Sequence, residues 1–170
     1  VLISSNKGQG KNDEARAVFN MSVKVLVGVA LIIGVTTLIF IEPLVKMMGA
    51  TPDIMDLAVT YLKYFLMFSP AFMFSYAMAT WLRNDTQPKL AMTALIVGAF
   101  SNVFLDWFFM GPMNMGIAGA AIATGLGPVF GIMIMMPHFI SRRGILYFEK
   151  VKLNGKILLE MFTKGLPSFT

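Results

Sequence analysis

The stretch ALIVGAFSNVFLDWFFMGPMNMGIAGAAIATGLG (94–127) decides the fold: two apolar runs meet at a Gly/Pro-rich break, with Asn102, Asp106 and Thr124 set among the oil. Extended to their flanks, both runs have the roughly 20 residues that a helix rising 1.5 Å per residue needs to cross a bilayer. GPMNMG (111–116) is the turn between them. Working outward, the upstream run begins after Lys89 and reaches about Met110, and the downstream run spans about Ile117 to Ile140. Further toward the N-terminus, one apolar run lies between Lys24 and Glu42, extended toward Val18, and another between Lys63 and Arg83. Each is apolar around its whole circumference and lacks the one-sided stripe of a soluble bundle helix. The 170 residues are 56% hydrophobic and 14% charged, with mean hydropathy +0.71, which leaves too little polar surface for a soluble domain. The expected fold class is an all-α integral membrane protein with four transmembrane helices over residues 18–140.

The basic residues orient these spans. Lys7, Lys11 and Arg16 precede the first, with Lys24 at its start, and only Lys46 lies in the loop that follows. Arg83 and Lys89 flank the next loop, GPMNMG has no charge, and Arg142, Arg143, Lys150, Lys152, Lys156 and Lys164 follow the last span. This alternation places both chain ends and the RNDTQPK loop (83–89) in the cytoplasm. Residues 1–17 are then a cytoplasmic loop, and 141–164 a second one. Within the latter, Asn154 is a candidate N-cap, and Ile157, Leu158, Met161 and Phe162 share a face, so a short helix on the membrane surface is expected beside the alternative of a plain linker. GLPSF (165–169) reads as the start of a further span over 165–170. The chain begins at Val1 without an initiator Met and stops where that apolar segment opens, so it reads as an internal piece of a larger protein.

Several functions are excluded at this level. The net charge of +5 is spread between apolar runs and not along one face, which argues against nucleic acid. The absence of cysteine excludes thiolate metal sites, a single histidine argues against a His-rich metal site or a Ser-His-Asp relay, and no cofactor or enzyme chemistry is called for. GQGK (8–11) lacks the rest of a phosphate loop.

What remains is the polar content of the last two spans. Gly119, Ala123, Gly127 and Gly131 repeat at every fourth position, as do Ala94, Gly98, Asn102 and Asp106, so the polar pair lies on a small-residue face suited to close helix packing. Asp106 lies roughly 11 Å below the turn and Thr124 about level with Asn102 if the two spans form a hairpin. A carboxylate at a span's centre costs about 2.5–3.5 kcal/mol, a cost that a proton, cation or water reduces. Carboxylate, amide and hydroxyl oxygens together suit a proton or a hard cation. The alternative is that Asp106 marks the outer end of its span, at the headgroups. Pro70, Pro128 and Pro137 each remove a helical hydrogen bond, and Pro128, one turn from Thr124, is the candidate for functional bending. Tyr76, Trp81, Trp107 and Tyr147 fall near predicted interfaces, and His138 is expected there too. The 15 Met and 15 Phe fit either a plastic cavity or lipid contact.

Five segments together resemble one transporter family. ISSNKGQGKNDEARAVF (3–19), EPLVKMMGATPDIMDLAVTYLKY (42–64), ATWLRNDTQPKLAM (79–92), SNVFLDWFFMGPMNMGIAGAAIAT (101–124) and KGLPSF (164–169) are similar to loops and spans of the multidrug and toxic compound extrusion (MATE) family. The loop at 83–89 departs from the family pattern by carrying Asn84. The resemblance implies spans three to six of a six-helix lobe, in a twelve-helix, two-lobe transporter of the plasma membrane. It implies export of amphipathic, often cationic, small molecules in exchange for H⁺ or Na⁺. It assigns Asn102, Asp106 and Thr124 to a cation site completed by an acidic residue before Val1. The partners implied are the substrate, the lipid bilayer and the remainder of the same transporter chain. A lipid-linked precursor flippase of related architecture and a membrane assembly subunit without transport are the rival readings.

Overall fold

A computed structural model describes residues 2–151 and 155–165, and among these every regular element is helical. A short α1 (Leu2–Gly8) leads into the long α2 (Asn12–Ile39), followed by α3 (Ile41–Met47) and a 3-10 turn at Pro52–Ile54. Then come α4 (Met55–Met67), α5 (Ser69–Asn84), α6 (Pro88–Met110), α7 (Gly116–Ile140) and α8 (Gly155–Gly165). Three helices, α2, α6 and α7, are long and apolar enough to cross a membrane alone, and Pro52–Met67 with α5, bent by 44°, adds a fourth where the pair is counted as one broken span. The expected membrane fold is therefore present, with two boundary differences. Residues 2–8 and 12–17, read as loop, are helical, and the second span starts well before Lys63 and is broken.

The break has a local cause. Pro70 enters the first turn of α5 and has no N–H to offer the Leu66 carbonyl, so α4 stops at Met67. Phe68 sits in the joint. Its ring lies against Gly125 of α7 so closely that any Cβ there collides with it. The bend is thus held by a ring seated on a glycine.

Packing is divided along the bundle. Large exposed side chains such as Leu31, Ile32, Ile39, Phe100 and Val103 cover the outer faces of the spans. The fully buried large side chains Phe19, Phe139, Met78, Leu82 and Leu146 gather at one end, which also carries α1 and the start of α2. There the Phe19 ring stacks on Phe139 at 5.4 Å and meets Trp81 edge-on at 5.0 Å. Trp81, expected in an interfacial belt, is instead part of this core. Tyr147 is likewise no free belt residue, because the guanidinium groups of Arg16 and Arg142 lie over its ring at 4.2 and 4.7 Å.

The same end holds a buried charge. Asp85, just after α5, has a side chain only 1% exposed. Its Oδ1 accepts from the Ile145 N–H at 3.0 Å, and its Oδ2 from the Leu146 N–H at 3.4 Å and lies 2.8 Å from His138 Nε2. Lys7 Nζ stands 3.8 Å from Oδ1 while donating to the Asn84 carbonyl at 2.8 Å. His138, expected at an interface, is therefore an inner partner of a carboxylate. Gly144 is required at this point, since a Cβ would collide with Asp85 Oδ2.

From there residues 144–151 run as an extended strap along α2. Arg16 Nε donates to the Ile145 carbonyl, Asn20 Nδ2 to that of Tyr147, and Lys24 Nζ to that of Val151, while Glu149 N–H donates to Asn20 Oδ1. The helix expected within 141–164 is present as α8, and Asn154, its proposed N-cap, lies outside the described residues, as do 166–170.

Removing one partner of a buried hydrogen bond and leaving the other short of it costs about 1–3 kcal/mol. His138→Leu is expected to lose that much stability, and Gly144→Val to fall in the same direction by displacing the strap. Thermal unfolding of the detergent-solubilised protein followed by circular dichroism measures both, against Lys11→Ala as an exposed control.

Candidate functional site

α6 and α7 form the hairpin anticipated from the sequence, and among the described residues theirs is the most extensive helix contact. The contact is backbone to backbone. A Cβ on Gly98 would stand 2.7 Å from the Gly127 carbonyl oxygen, and one on Gly127 would stand 2.8 Å from that of Gly98. One step along, Gly131 faces the Ala94 carbonyl and Ser75 Oγ, and toward the turn Gly119 faces Phe109. The turn itself closes with Asn114 at φ 51° and Gly116 at φ 56°, left-handed conformations that Asn and Gly tolerate best.

This approach brings Asn102 of α6 to Thr124 of α7, with Asn102 Nδ2 donating to Thr124 Oγ1 at 3.5 Å. Both side chains line a groove of about 300 Å³ whose other walls include Phe72, Ser75 and Tyr76 of α5 and Pro128 of α7. Pro128 has no N–H, so the Thr124 carbonyl, four residues earlier in α7, lacks its usual helical donor. Thr124 therefore has a hydroxyl bonded to Asn102 and a main-chain carbonyl without its helical donor. α7 nonetheless continues through Pro128 as one element from Gly116 to Ile140.

Asp106 is placed differently. It lies one turn from Asn102 toward the GPMNMG turn and is not a wall of the groove. Its Oδ1 is buried and has no hydrogen-bond partner. The reason is geometric: each four-residue step on an α-helix advances by about 40°, so the series Ala94, Gly98, Asn102, Asp106 winds about 120° around α6. The small-residue face and the carboxylate share a helix edge without sharing the groove. Asp106 is the sole acidic residue in α6 and α7, and among the described residues no three of His, Cys, Asp and Glu gather as a metal cluster.

The α5 wall is not among the sequence expectations. Tyr76, expected in a belt, lines the groove from its exposed position. The signal was available in Ala71, Ser75 and Ala79, small residues at the same fourfold spacing as on α6 and α7. Ser75 is buried and touches the Gly131 position.

Three apolar helices, α5, α6 and α7, packed by small residues around a groove that bears amide and hydroxyl oxygens, define part of a helical membrane protein. The chain belongs to the MatE family, whose sequence profile matches residues 1–108. It is 23% identical over 164 residues to the multidrug export protein MepA of Staphylococcus aureus, covering 94% of this chain and 36% of that protein. An inward-facing multidrug resistance MATE family transporter of the MOP superfamily superposes with TM-score 0.90 at 25% identity, over 98% of this chain and 39% of its own. A MOP superfamily transporter from Pyrococcus furiosus, described as having a binding pocket of reverse polarity that suggests a different function, matches at TM-score 0.88 and 26% identity, over 98% and 38%. The chain thus spans little more than a third of the length of these relatives.

If backbone contact sets the hairpin, Gly98→Leu forces α6 and α7 apart. Overpacking of this kind costs about 1–3 kcal/mol. Cysteines placed at Asn102 and Thr124 should crosslink in the parent protein, and the added Gly98→Leu should reduce that crosslink several-fold on gel analysis.

Proposed function

We propose that this chain forms part of the N-terminal lobe of a cation-coupled exporter of amphipathic, often cationic compounds, with Asn102, Asp106 and Thr124 in its coupling site. The observation that carries this reading is the buried Oδ1 of Asp106, unpartnered one turn from the Asn102–Thr124 pair. An unpaired carboxylate oxygen in low dielectric is stabilised by binding a proton or a cation. A single carboxylate balances a single positive charge, which favours H⁺ or Na⁺ over a divalent ion. Asn102 and Thr124 supply neutral oxygens, and Thr124 adds its freed carbonyl, the kind of ligand a hard cation accepts.

In this mechanism Asp106 binds the coupling ion from one side of the membrane and releases it to the other as the lobe changes conformation. The amphipathic substrate occupies the neighbouring groove, where Phe72 and Tyr76 offer apolar and aromatic surface. Neither α7 nor the part of α6 beyond Lys89 carries a Lys or Arg, which supports a cationic substrate over the anionic headgroup of a lipid-linked precursor. The basic residues before α2, in the 83–89 loop and after α7 support a plasma-membrane protein with both described ends in the cytoplasm. The preceding helices and the second lobe complete the transporter.

In the intact transporter, Asp106→Asn is expected to abolish drug export from a sensitised host while membrane expression stays normal. Resistance unchanged from the parent would refute the assignment. In reconstituted vesicles, imposing a pH gradient or a sodium gradient alone separates the two ions, and the active gradient should lose its effect in the same variant.

A further inference from the structure

α8 has an apolar arc wider than the protein covers. At 100° per residue, Ile157 and Met161 lie within about 40° of each other, and Leu158, Phe162 and Leu159 continue that arc to about 200°. Lys156, Glu160, Thr163 and Lys164 fill the remainder. Ile157 and Met161 pack against the buried cluster at the basic end of the bundle. Leu159 and Phe162 are 66% and 63% exposed. Half of the apolar arc is therefore spent on protein contact and half is turned outward.

The strap fixes where this outward half sits. Val151, four residues before α8, hangs by its carbonyl on Lys24 of α2. Lys24 stands at the point where α2 changes character. Before it lie the buried Ala15, Val18, Phe19 and Met21, and beyond it the apolar Val27, Val29, Leu31 and Ile32 are exposed, as on a span that faces hydrocarbon. The helix that follows Val151, and that packs on α2, is thereby held at the level where the span emerges from the hydrocarbon. α8 itself carries the exposed Lys164, and the turn after α7 and the strap carry the exposed Arg142, Arg143 and Lys150, a charge pattern complementary to phospholipid phosphates.

We infer that α8 is an in-plane membrane anchor: Leu159 and Phe162 insert among the headgroups and upper acyl chains of the bilayer surface at the basic end, and the flanking basic residues engage anionic phospholipid. This is the arrangement of a helix with one polar face, basic flanks and a separate apolar edge. It gives the connection after α7 a fixed depth as well as a fixed contact with α2. It does not depend on the proposed coupling site, since it rests on α8, the strap and Lys24 alone.

The chain has no cysteine, which allows site-directed spin labels. In the intact transporter, with any cysteines elsewhere replaced and export retained, labels at Leu159, Phe162 and Thr163 are compared in vesicles of phosphatidylcholine and phosphatidylglycerol. Labels at 159 and 162 are expected to collide several-fold more often with oxygen than with a water-soluble nickel chelate, and the label at 163 the reverse. Replacing phosphatidylglycerol by phosphatidylcholine should raise nickel access at 159 and 162. Dominant nickel access at 159 and 162 would show a solvent-facing helix and overturn the inference. Exclusion of both reagents would place another part of the transporter on this face and overturn it equally. Unchanged depth without phosphatidylglycerol would overturn the role of the anionic lipid.

Discussion

In a bilayer, apolar side chains gain little by leaving lipid for one another, so helices associate where their backbones can touch. In this chain that place is the contact of Gly98 with Gly127, where neither residue leaves room for a side chain on the other. The rest of the lobe is arranged around it. It draws Asn102 within reach of Thr124, and Gly131 continues it onto Ser75, so that α5 closes the groove from the third side. Gly125, on another face of α7, receives the Phe68 ring and holds the joint of the broken span. One helix thus uses its glycines in two directions, toward its hairpin partner and toward a bend.

The molecule solves two packing problems by two different means. Within the spans, small residues and a few polar groups do the joining, and the large side chains face outward. At the basic end, water is available as a competitor, and aromatic rings, a buried carboxylate and a hydrogen-bonded strap replace the glycines. Burying Asp85 is tolerated because both its oxygens accept main-chain hydrogen bonds while His138 and Lys7 stand beside them. The two regions meet at the start of α6, where Pro88 follows the Asp85 loop directly.

Much of this was legible in the sequence where the signal is local. Lys89, GPMNMG and Ile140 punctuate long apolar runs, so the bounds of α6 and α7 agree with expectation to within a residue or two. The pairing of Asn102 with Thr124 followed from counting turns on both sides of a hairpin. What was not legible depends on distance in the chain. LISSNKG is a poor helix former by composition, and α1 stands because Ile3 and Lys7 find partners in the bundle. His138 and Asp85 are 53 residues apart, and nothing near either one announces the other. Trp81 looks like a belt residue by position, but Phe19 and Phe139, from two other helices, enclose it. Asp106 shows the limit of spacing arguments within one helix, since a fourfold repeat drifts far enough in three steps to leave the groove that its first members line.

The Asp85 cluster also has a history in time. The carboxylate is synthesised 60 residues before the Ile145 N–H that it accepts from, and 53 before His138. At translation rates of about 5–20 residues per second, that is a wait of roughly 3–12 s. During it the loop between α5 and α6 must remain in water, since a charged Asp without partners is poorly accommodated in oil. The nascent chain is therefore committed to leaving this loop on the aqueous side until α7 has been inserted and the strap laid along α2. Closure of the basic end cannot precede the synthesis of residue 145, and a chain halted before it leaves Asp85 without the main-chain donors that hold it in the finished protein.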